Sequence, residues 1–120
     1  MLEFTVPWPP KELSPNARKH WGARSKKAKQ YRAQCFAYAH NALQAMAVDV
    51  AGKLVLALVF RPPNRRKRDD DNLVAAFKSG RDGIADALGI DDSRFVTQFE
   101  IGEPAADGIV EVTIYKKDSE

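Results

Sequence analysis

The stretch LVLALVF, residues 54–60, most tightly limits what this chain can fold into. An uninterrupted apolar run of this length is typical of a β-strand that is buried on both faces. It is far shorter than the roughly 18 apolar residues that a membrane-spanning helix needs. The run therefore predicts the central strand of a sheet that other elements cover.

Three further strands are predicted where apolar and polar residues alternate, at residues 2–8, 96–101 and 109–115. Apolar residues spaced by three and four predict one helix over 25–47, with Ser25 as its N-cap, and a second over 72–88, closed by Gly89. Residues 11–27 are basic and contain Pro15, Asn16 and Gly22, so a loop is predicted there. The order β-α-β-α-β-β predicts a single α/β domain over residues 1–120, with two helices packed on a mixed sheet.

Length and composition are those of an ordinary cytoplasmic protein. A chain of 120 residues is long enough for one core and too short for two. The N-terminal sequence MLEFTVPW has neither the basic nor the apolar region of a secretion signal, so a cytoplasmic location is expected. The single cysteine, Cys35, lies in an alanine- and aromatic-rich segment and is interpreted as a buried, inert thiol.

The net charge of +3 hides a strong separation of charge along the chain. The segment from Lys11 to Arg68 contains fourteen basic and two acidic residues, while the remaining positions contain five basic and fourteen acidic residues. Blocks of basic charge are typical of proteins that bind polyanions. The bases of two stretches are expected to contact such a polyanion, namely Arg18, Lys19, Arg24, Lys26, Lys27, Arg65, Arg66, Lys67 and Arg68. Lys29 and Arg32 are expected on a solvated helix face.

The segment RRKRDDDNL, residues 65–73, places three acids directly after four bases. An aspartate at a helix start caps free backbone N–H groups, and this role for one of the three is an equally good interpretation. Three in succession repel one another unless a cation lies among them. In an extended chain Asp69 and Asp71 would point to one side and Asp70 away from it. Such a pair beside arginines suits Mg²⁺, which binds carboxylates together with phosphate oxygens.

A second acidic pair, Asp91 and Asp92, follows the second predicted helix. A straight helix of this length would span about 24 Å, so the two acidic clusters would lie at its opposite ends. One ion could be shared only if the chain folded back after Gly89 or if the helix were broken near Ser79 and Gly80.

The motifs VPWPP, RD-x-DN-L and DDS-R-F, in this order, resemble those of the RusA family of Holliday junction resolvases. The resemblance covers nearly the whole chain. It implies an α/β fold, a homodimer, a requirement for Mg²⁺ or Mn²⁺, and a metal-binding triad of Asp69, Asp71 and Asp92. Two positions depart from the family pattern: Asp70 replaces an apolar residue, and Ala75 stands at the position of the family's catalytic lysine. Lys78, one turn further on, could take over that role, or it could be a solvated lysine.

Together with this resemblance, the observations predict a divalent-metal-dependent endonuclease that cleaves branched DNA, in particular four-way junctions, whose backbone the bases of the two basic stretches would contact. The catalytic residues would be Asp69, Asp71, Asp92 and Lys78, and cleavage would leave a 5′-phosphate and a 3′-hydroxyl, as the resemblance implies. The alternative is a non-catalytic DNA-binding protein in which the acids only cap a helix and hold a structural ion. An enzyme acting on a nucleotide or another small phosphate ester is the third possibility, and thirteen clustered bases exceed what such a substrate needs. No membrane partner is expected.

Overall fold

The structure is a computed structural model that describes residues 1–15 and 21–117. Within these ranges the elements, in chain order, are β1 (Leu2–Pro7), a 3-10 turn (Lys11–Leu13), α1 (Trp21–Ala45), β2 (Leu54–Arg61), α2 (Asp70–Ala76), α3 (Lys78–Leu88), a second 3-10 turn (Asp92–Arg94), β3 (Phe95–Ile101) and β4 (Ile109–Lys116). The strands form one sheet in the order β1-β4-β2-β3. Strand β4 is antiparallel to both of its neighbours, and β2 is parallel to β3. The predicted α/β domain with a mixed sheet is therefore confirmed, although three helices rather than two pack on the sheet.

Strand β2 lies inside the sheet, between β4 and β3, as its apolar sequence predicts. Leu54, Leu56 and Phe60 are fully buried on one face of the strand. On the other face Val55 is buried, while Ala57 and Val59 are only half-buried. The face of β2 that packs against the helices is thus fully buried, and the opposite face is only partly buried. The buried face of the sheet forms the core together with apolar residues of all three helices.

Helix α1 begins at Trp21, four residues before the predicted N-cap Ser25, which is an exposed residue inside the helix. The prediction of a loop over residues 11–27 is wrong from Trp21 onwards and at the 3-10 turn. Its polar, basic character was a poor guide, because Ala, Arg and Lys also have high helix propensity. The part of that prediction over residues 16–20 lies outside the described residues. The helix buries a narrow stripe of one residue per turn: Tyr31, Cys35 and Ala39.

The second predicted helix is divided into α2 and α3 at Phe77. The Phe77 ring is fully buried and makes edge-to-face contacts with Tyr31 and Phe60, at centroid distances of 6.1 and 5.8 Å. The break thus coincides with an aromatic side chain that is held by α1 and β2. Gly89 ends α3 in the left-handed conformation, with a φ of 69°, as predicted.

Helices α1 and α3 approach each other closely because α3 presents glycines to α1. A Cβ on Gly83 would lie 2.1 Å from the Arg32 carbonyl oxygen, and one on Gly80 would lie 2.8 Å from a ring carbon of Tyr31. This contact fixes α3 and, through it, the segments that follow. Among the described residues, no helix is both long and apolar enough to cross a membrane.

Candidate nucleic-acid interface

The basic loop between β2 and α2, residues 62–69, is held in shape by its own side chains. The Arg68 guanidinium folds back and donates to the Asn64 side-chain oxygen at 2.9 Å and to the Arg66 carbonyl oxygen at 2.8 Å. The Asn64 side chain also accepts from the Arg66 backbone N–H at 3.0 Å. Because the N–H groups of Arg68 donate to atoms of the same loop, Arg68 holds Asn64 and Arg66 in place and also adds positive charge.

A cleft of about 500 Å³ lies on one side of this loop, and we call it the basic cleft. Its charged lining residues are four bases and one acid: Lys11, Arg66, Lys67, Arg68 and Asp69. The VPWPP segment at the end of β1 also lines the cleft, through Trp8, Pro9 and Pro10. A second cavity, of about 460 Å³, shares Arg66, Lys67 and Arg68 with the cleft, so the loop forms a ridge between two concave surfaces.

The Trp8 ring joins the apolar core to the basic loop. It packs edge-to-face on Phe60 at 6.1 Å, and the Arg68 guanidinium lies 5.7 Å from its centroid, within the range of a cation–π interaction. The side chain is half-buried. Trp8 therefore helps to fix Arg68, and with it the wall of the basic cleft.

In the described part of the chain, the bases that the loop contributes to the basic cleft are not paired with acids, although Asp69 also lines the cleft. Within the described residues, Arg66, Lys67 and Arg68 form no ion pair with a carboxylate. Burial, and then the charge of Arg66, lower the pKa of Arg68. Arg65 differs, because it lies 3.1 Å from the Glu103 carboxylate. Two guanidinium groups and an ammonium group on one wall form a site to which an anion would be attracted.

Helix α1 carries the other basic stretch. It contains no acidic residue, and its basic residues all lie in its N-terminal half. Arg24 donates to the Leu13 carbonyl oxygen at 3.4 Å, which joins α1 to the 3-10 turn that contains Lys11. Lys26 is exposed and Lys27 half-buried. Arg18 and Lys19, predicted to contact DNA, lie outside the described residues.

The two bases expected on a solvated face differ in their contacts. Lys29 is exposed. Arg32 instead pairs with Asp86 of α3, with its Nε 2.7 Å from the carboxylate, and this contact lowers the pKa of Asp86. Arg32 therefore ties α1 to α3.

The three consecutive acids follow the capping interpretation in part. Asp69 is the N-cap of α2, and its carboxylate accepts from the Asp71 backbone N–H at 2.9 Å. Asp70 and Asp71 lie in the first turn of the helix, and all three side chains are exposed. The prediction that Asp69 and Asp71 share a side because the chain is extended is wrong. Successive residues of a helix are about 100° apart around its axis. The alternation of an extended chain therefore cannot decide whether Asp70 or Asp71 is the better candidate for a metal ligand.

Asp92 lies in a different environment from the first acidic cluster. Its carboxylate is 3.3 Å from the Arg81 guanidinium, which also donates to the Asp92 carbonyl oxygen at 2.9 Å. These contacts attach the second 3-10 turn to α3. Asp92 lines a depression of about 230 Å³ that also contains Lys78, whose Nζ is 3.5 Å from Asp82.

The RusA resemblance implies that Asp69, Asp71 and Asp92 hold one metal ion. The donors are chemically suitable, because carboxylate oxygens are the ligands that Mg²⁺ prefers. Among the described residues, however, no three histidine, cysteine or acidic side chains are placed to hold one ion. Asp69 lines the basic cleft, whereas Asp92 lines the depression and is bound by Arg81. The three acids thus do not fit a shared metal ion in this arrangement of the chain.

Three residues of the site were not found from the sequence. Lys11 and Trp8 could have been, since one begins the basic stretch and the other stands in the VPWPP motif. Arg81 could not, because its pairing with Asp92 depends on how α3 and the following turn meet. Its partner is eleven residues away and gives no periodic signal.

Comparison with known proteins gives little beyond the geometry. No protein-family model matches the chain. An uncharacterized protein of Xylella fastidiosa (strain Temecula1 / ATCC 700964) is 53% identical over 98 residues, which is 81% of this chain and 64% of that protein. This chain thus spans less than two thirds of the length of that relative. The chain is thus similar to a bacterial protein that has no assigned activity.

Proposed function

We propose that this protein binds the phosphate backbone of branched DNA, in particular four-way junctions, and cleaves it as a divalent-metal-dependent endonuclease of the RusA type. The observation that carries the proposal is the basic cleft, where Arg66, Lys67 and Arg68 have no acidic partner among the described residues. A phosphodiester is the anion that such a wall attracts, and binding would be independent of base sequence. Asp69, at the edge of the same cleft, adds a carboxylate next to that phosphate.

The hydrolytic part of the proposal relies on the RD-x-DN-L and DDS-R-F motifs, which place acids beside bases in the order seen in the RusA family. The chain's own residues support binding and positioning of the phosphodiester. Mg²⁺ or Mn²⁺ would supply the activation of water when bound. The RusA resemblance assigns the ion to Asp69, Asp71 and Asp92, although these acids do not lie around one ion in this structure. Lys78 would need to move from Asp82 to take part.

The alternative, a DNA-binding protein without catalytic activity, is favoured by one specific observation. Asp92 is engaged by Arg81 through both its carboxylate and its carbonyl oxygen, and Asp69 already serves as a helix cap. Both acids therefore have structural roles that need no metal. Ala75, at the position of the family lysine, points the same way.

One pair of measurements separates the two functions. Binding of a synthetic four-way junction is measured by gel shift in a chelator, and cleavage of the same junction is measured in Mg²⁺ and in Mn²⁺. Paired nicks with 5′-phosphate ends support the endonuclease; tight binding without any cleavage supports the non-catalytic alternative. Absence of junction binding at low salt would exclude both the endonuclease and the non-catalytic DNA-binding protein. Competition by mononucleotides would instead support a small phosphate ester as substrate.

Two chains are proposed to act together, because a four-way junction has two-fold symmetry and needs a cut in two strands. Sedimentation with and without junction DNA measures this directly. Monomer alone at micromolar concentration in both samples would contradict it.

A further inference from the structure

Trp21, the first residue of α1, has the most exposed large apolar side chain in the described part of the chain, at 80%. Tryptophan is normally well buried, because its indole ring has a large apolar surface. The other tryptophan, Trp8, follows this rule and packs on Phe60. An indole held in water at the start of a helix is therefore available for a partner that offers a flat, apolar face.

The surroundings of Trp21 indicate the chemistry of that partner. Arg24 follows it by one helical turn, so that their side chains are neighbours on the helix surface. Lys26, Lys27 and Lys29 follow within the next turns, and α1 contains no acidic residue to attract a basic protein or peptide. The partner must therefore combine a strongly anionic group with an aromatic or apolar face.

The position of Trp21 relative to the basic cleft adds a second constraint. Helix α1 packs against the 3-10 turn Lys11–Leu13, to which Arg24 donates a hydrogen bond. Lys11 lines the basic cleft. A strand whose phosphates lie in the cleft can therefore continue past Lys11 towards the first turn of α1.

We propose that Trp21 stacks on an unpaired base of a DNA strand whose backbone is bound by the basic cleft and by the N-terminal half of α1. This proposal rests on the proposed function, since it needs DNA in the cleft, and it names the substrate class more narrowly. An indole stacks on any base that has left the duplex, because every base has a π-face, whereas bases inside a duplex are already stacked on each other. Trp21 thus makes the protein prefer DNA with unpaired bases over fully paired duplex.

The test compares a single-stranded oligothymidylate with a fully paired duplex of the same length, using the full-length protein at low salt in a chelator. Intrinsic tryptophan fluorescence reports stacking, and gel shift reports affinity. Trp21→Ala should weaken binding of the oligothymidylate by about five- to 150-fold, the range that corresponds to one base–aromatic stacking contact. Its affinity for the duplex should be unchanged. Trp21→Phe should retain most of the single-strand affinity and lose most of the fluorescence quenching, since Trp8 alone remains.

Tyr38→Ala is the matched control, because Tyr38 is an exposed aromatic residue on the same helix, 43% exposed, beyond the basic half. It should change neither affinity, and all three variants should keep the helix content of the wild type. Equal single-strand affinity of wild type and Trp21→Ala, with duplex binding intact, would overturn the stacking role and leave the proposed function standing. So would a loss of self-association in Trp21→Ala with unchanged DNA binding, because the indole would then be a protein contact. If the wild type binds neither DNA, the proposed function fails and this inference with it.

Discussion

At the scale of single residues, Cys35 is a group whose chemistry is set by burial. The thiol is fully buried where α1 meets α3, and burial raises its pKa to about 12. The folded protein therefore keeps a proton that the unfolded chain releases above about pH 8.5. The stabilisation that comes from this thiol is therefore fully present below that pH. It decreases progressively up to about pH 12, by at most about 1.4 kcal/mol per pH unit.

The prediction is a fall in unfolding free energy between about pH 8 and about pH 10, measured by urea denaturation. Cys35→Ala should reduce this pH dependence. It should not abolish it at the upper end of this range, because burial also raises the pKa of Tyr31, which the unfolded chain deprotonates only from about pH 10. Equal pH dependence in Cys35→Ala and wild type would show that the thiol is not the group responsible. In native protein at about pH 8, Cys35 should also resist thiol reagents that modify it after unfolding.

Substitutions to Ala and to Asn distinguish the structural role of Asp69 and Asp71 from their proposed catalytic role. Asp69→Ala removes the side-chain acceptor for the Asp71 backbone N–H and should cost about 1 kcal/mol of stability, whereas Asp69→Asn keeps an oxygen there. Asp71→Asn leaves this cap untouched, because its backbone N–H is the donor. Under the proposed function, Asp69→Asn and Asp71→Asn should both abolish junction cleavage in Mg²⁺ and keep or improve binding in a chelator, since each removes a charge that repels phosphate. Normal cleavage by Asp71→Asn would exclude it from the reaction.

At the scale of elements, the apolar pattern predicts which residues face the core better than it predicts where helices begin and end. The apolar spacing that predicts the second helix places seven residues on one face, and all are buried except the half-buried Ala87: Leu73, Ala76, Phe77, Gly80, Ile84, Ala87 and Leu88. The sequence allowed a break near Ser79 and Gly80, but the helix is divided at Phe77 instead, where the ring contacts Tyr31 and Phe60, which are far from it in sequence. The start of α1 was misplaced for a different reason: a basic segment carries no apolar period from which a helix could be recognised.

The α1–α3 contact gives a prediction of its own. Gly83→Ala should destabilise the protein strongly, because its Cβ would lie 2.1 Å from the Arg32 carbonyl oxygen, a backbone atom that moves only with the helix. Overpacking of this kind costs about 1–3 kcal/mol or more. Gly80→Ala should cost less, since the three nearest atoms, at 2.8–3.1 Å, belong to side chains and not to the backbone of α1. The comparison is made by thermal and urea unfolding of both variants. A Gly83→Ala variant as stable as wild type would mean that the two helices are not held at this distance.

At the scale of the whole molecule, the separation of charge seen in the sequence is partly retained in space. The basic loop lies beside Lys11 on the wall of one cleft, so the prediction of a basic surface there could be made from composition alone. How the acids are distributed could not. Arg81 of α3 binds Asp92 of the second 3-10 turn, and Arg32 of α1 binds Asp86 of α3. Pairings between residues on different elements depend on the packing of those elements, which no local pattern encodes.

The basic cleft should dominate the electrostatics of DNA binding. Each phosphate contact that is lost lowers the slope of log affinity against log salt by about 0.9. Arg66→Ala combined with Lys67→Ala should therefore weaken binding of duplex and junction alike and flatten that slope by about two units. Lys116→Ala, at the end of β4 and paired with Asp49 at 2.9 Å, is the control and should leave the slope unchanged. Arg65→Ala should have an intermediate effect, because Arg65 must leave Glu103 to reach a phosphate. Gel shifts over a series of salt concentrations measure all four proteins, and an unchanged slope in the double variant would remove the basic cleft from the DNA-binding surface.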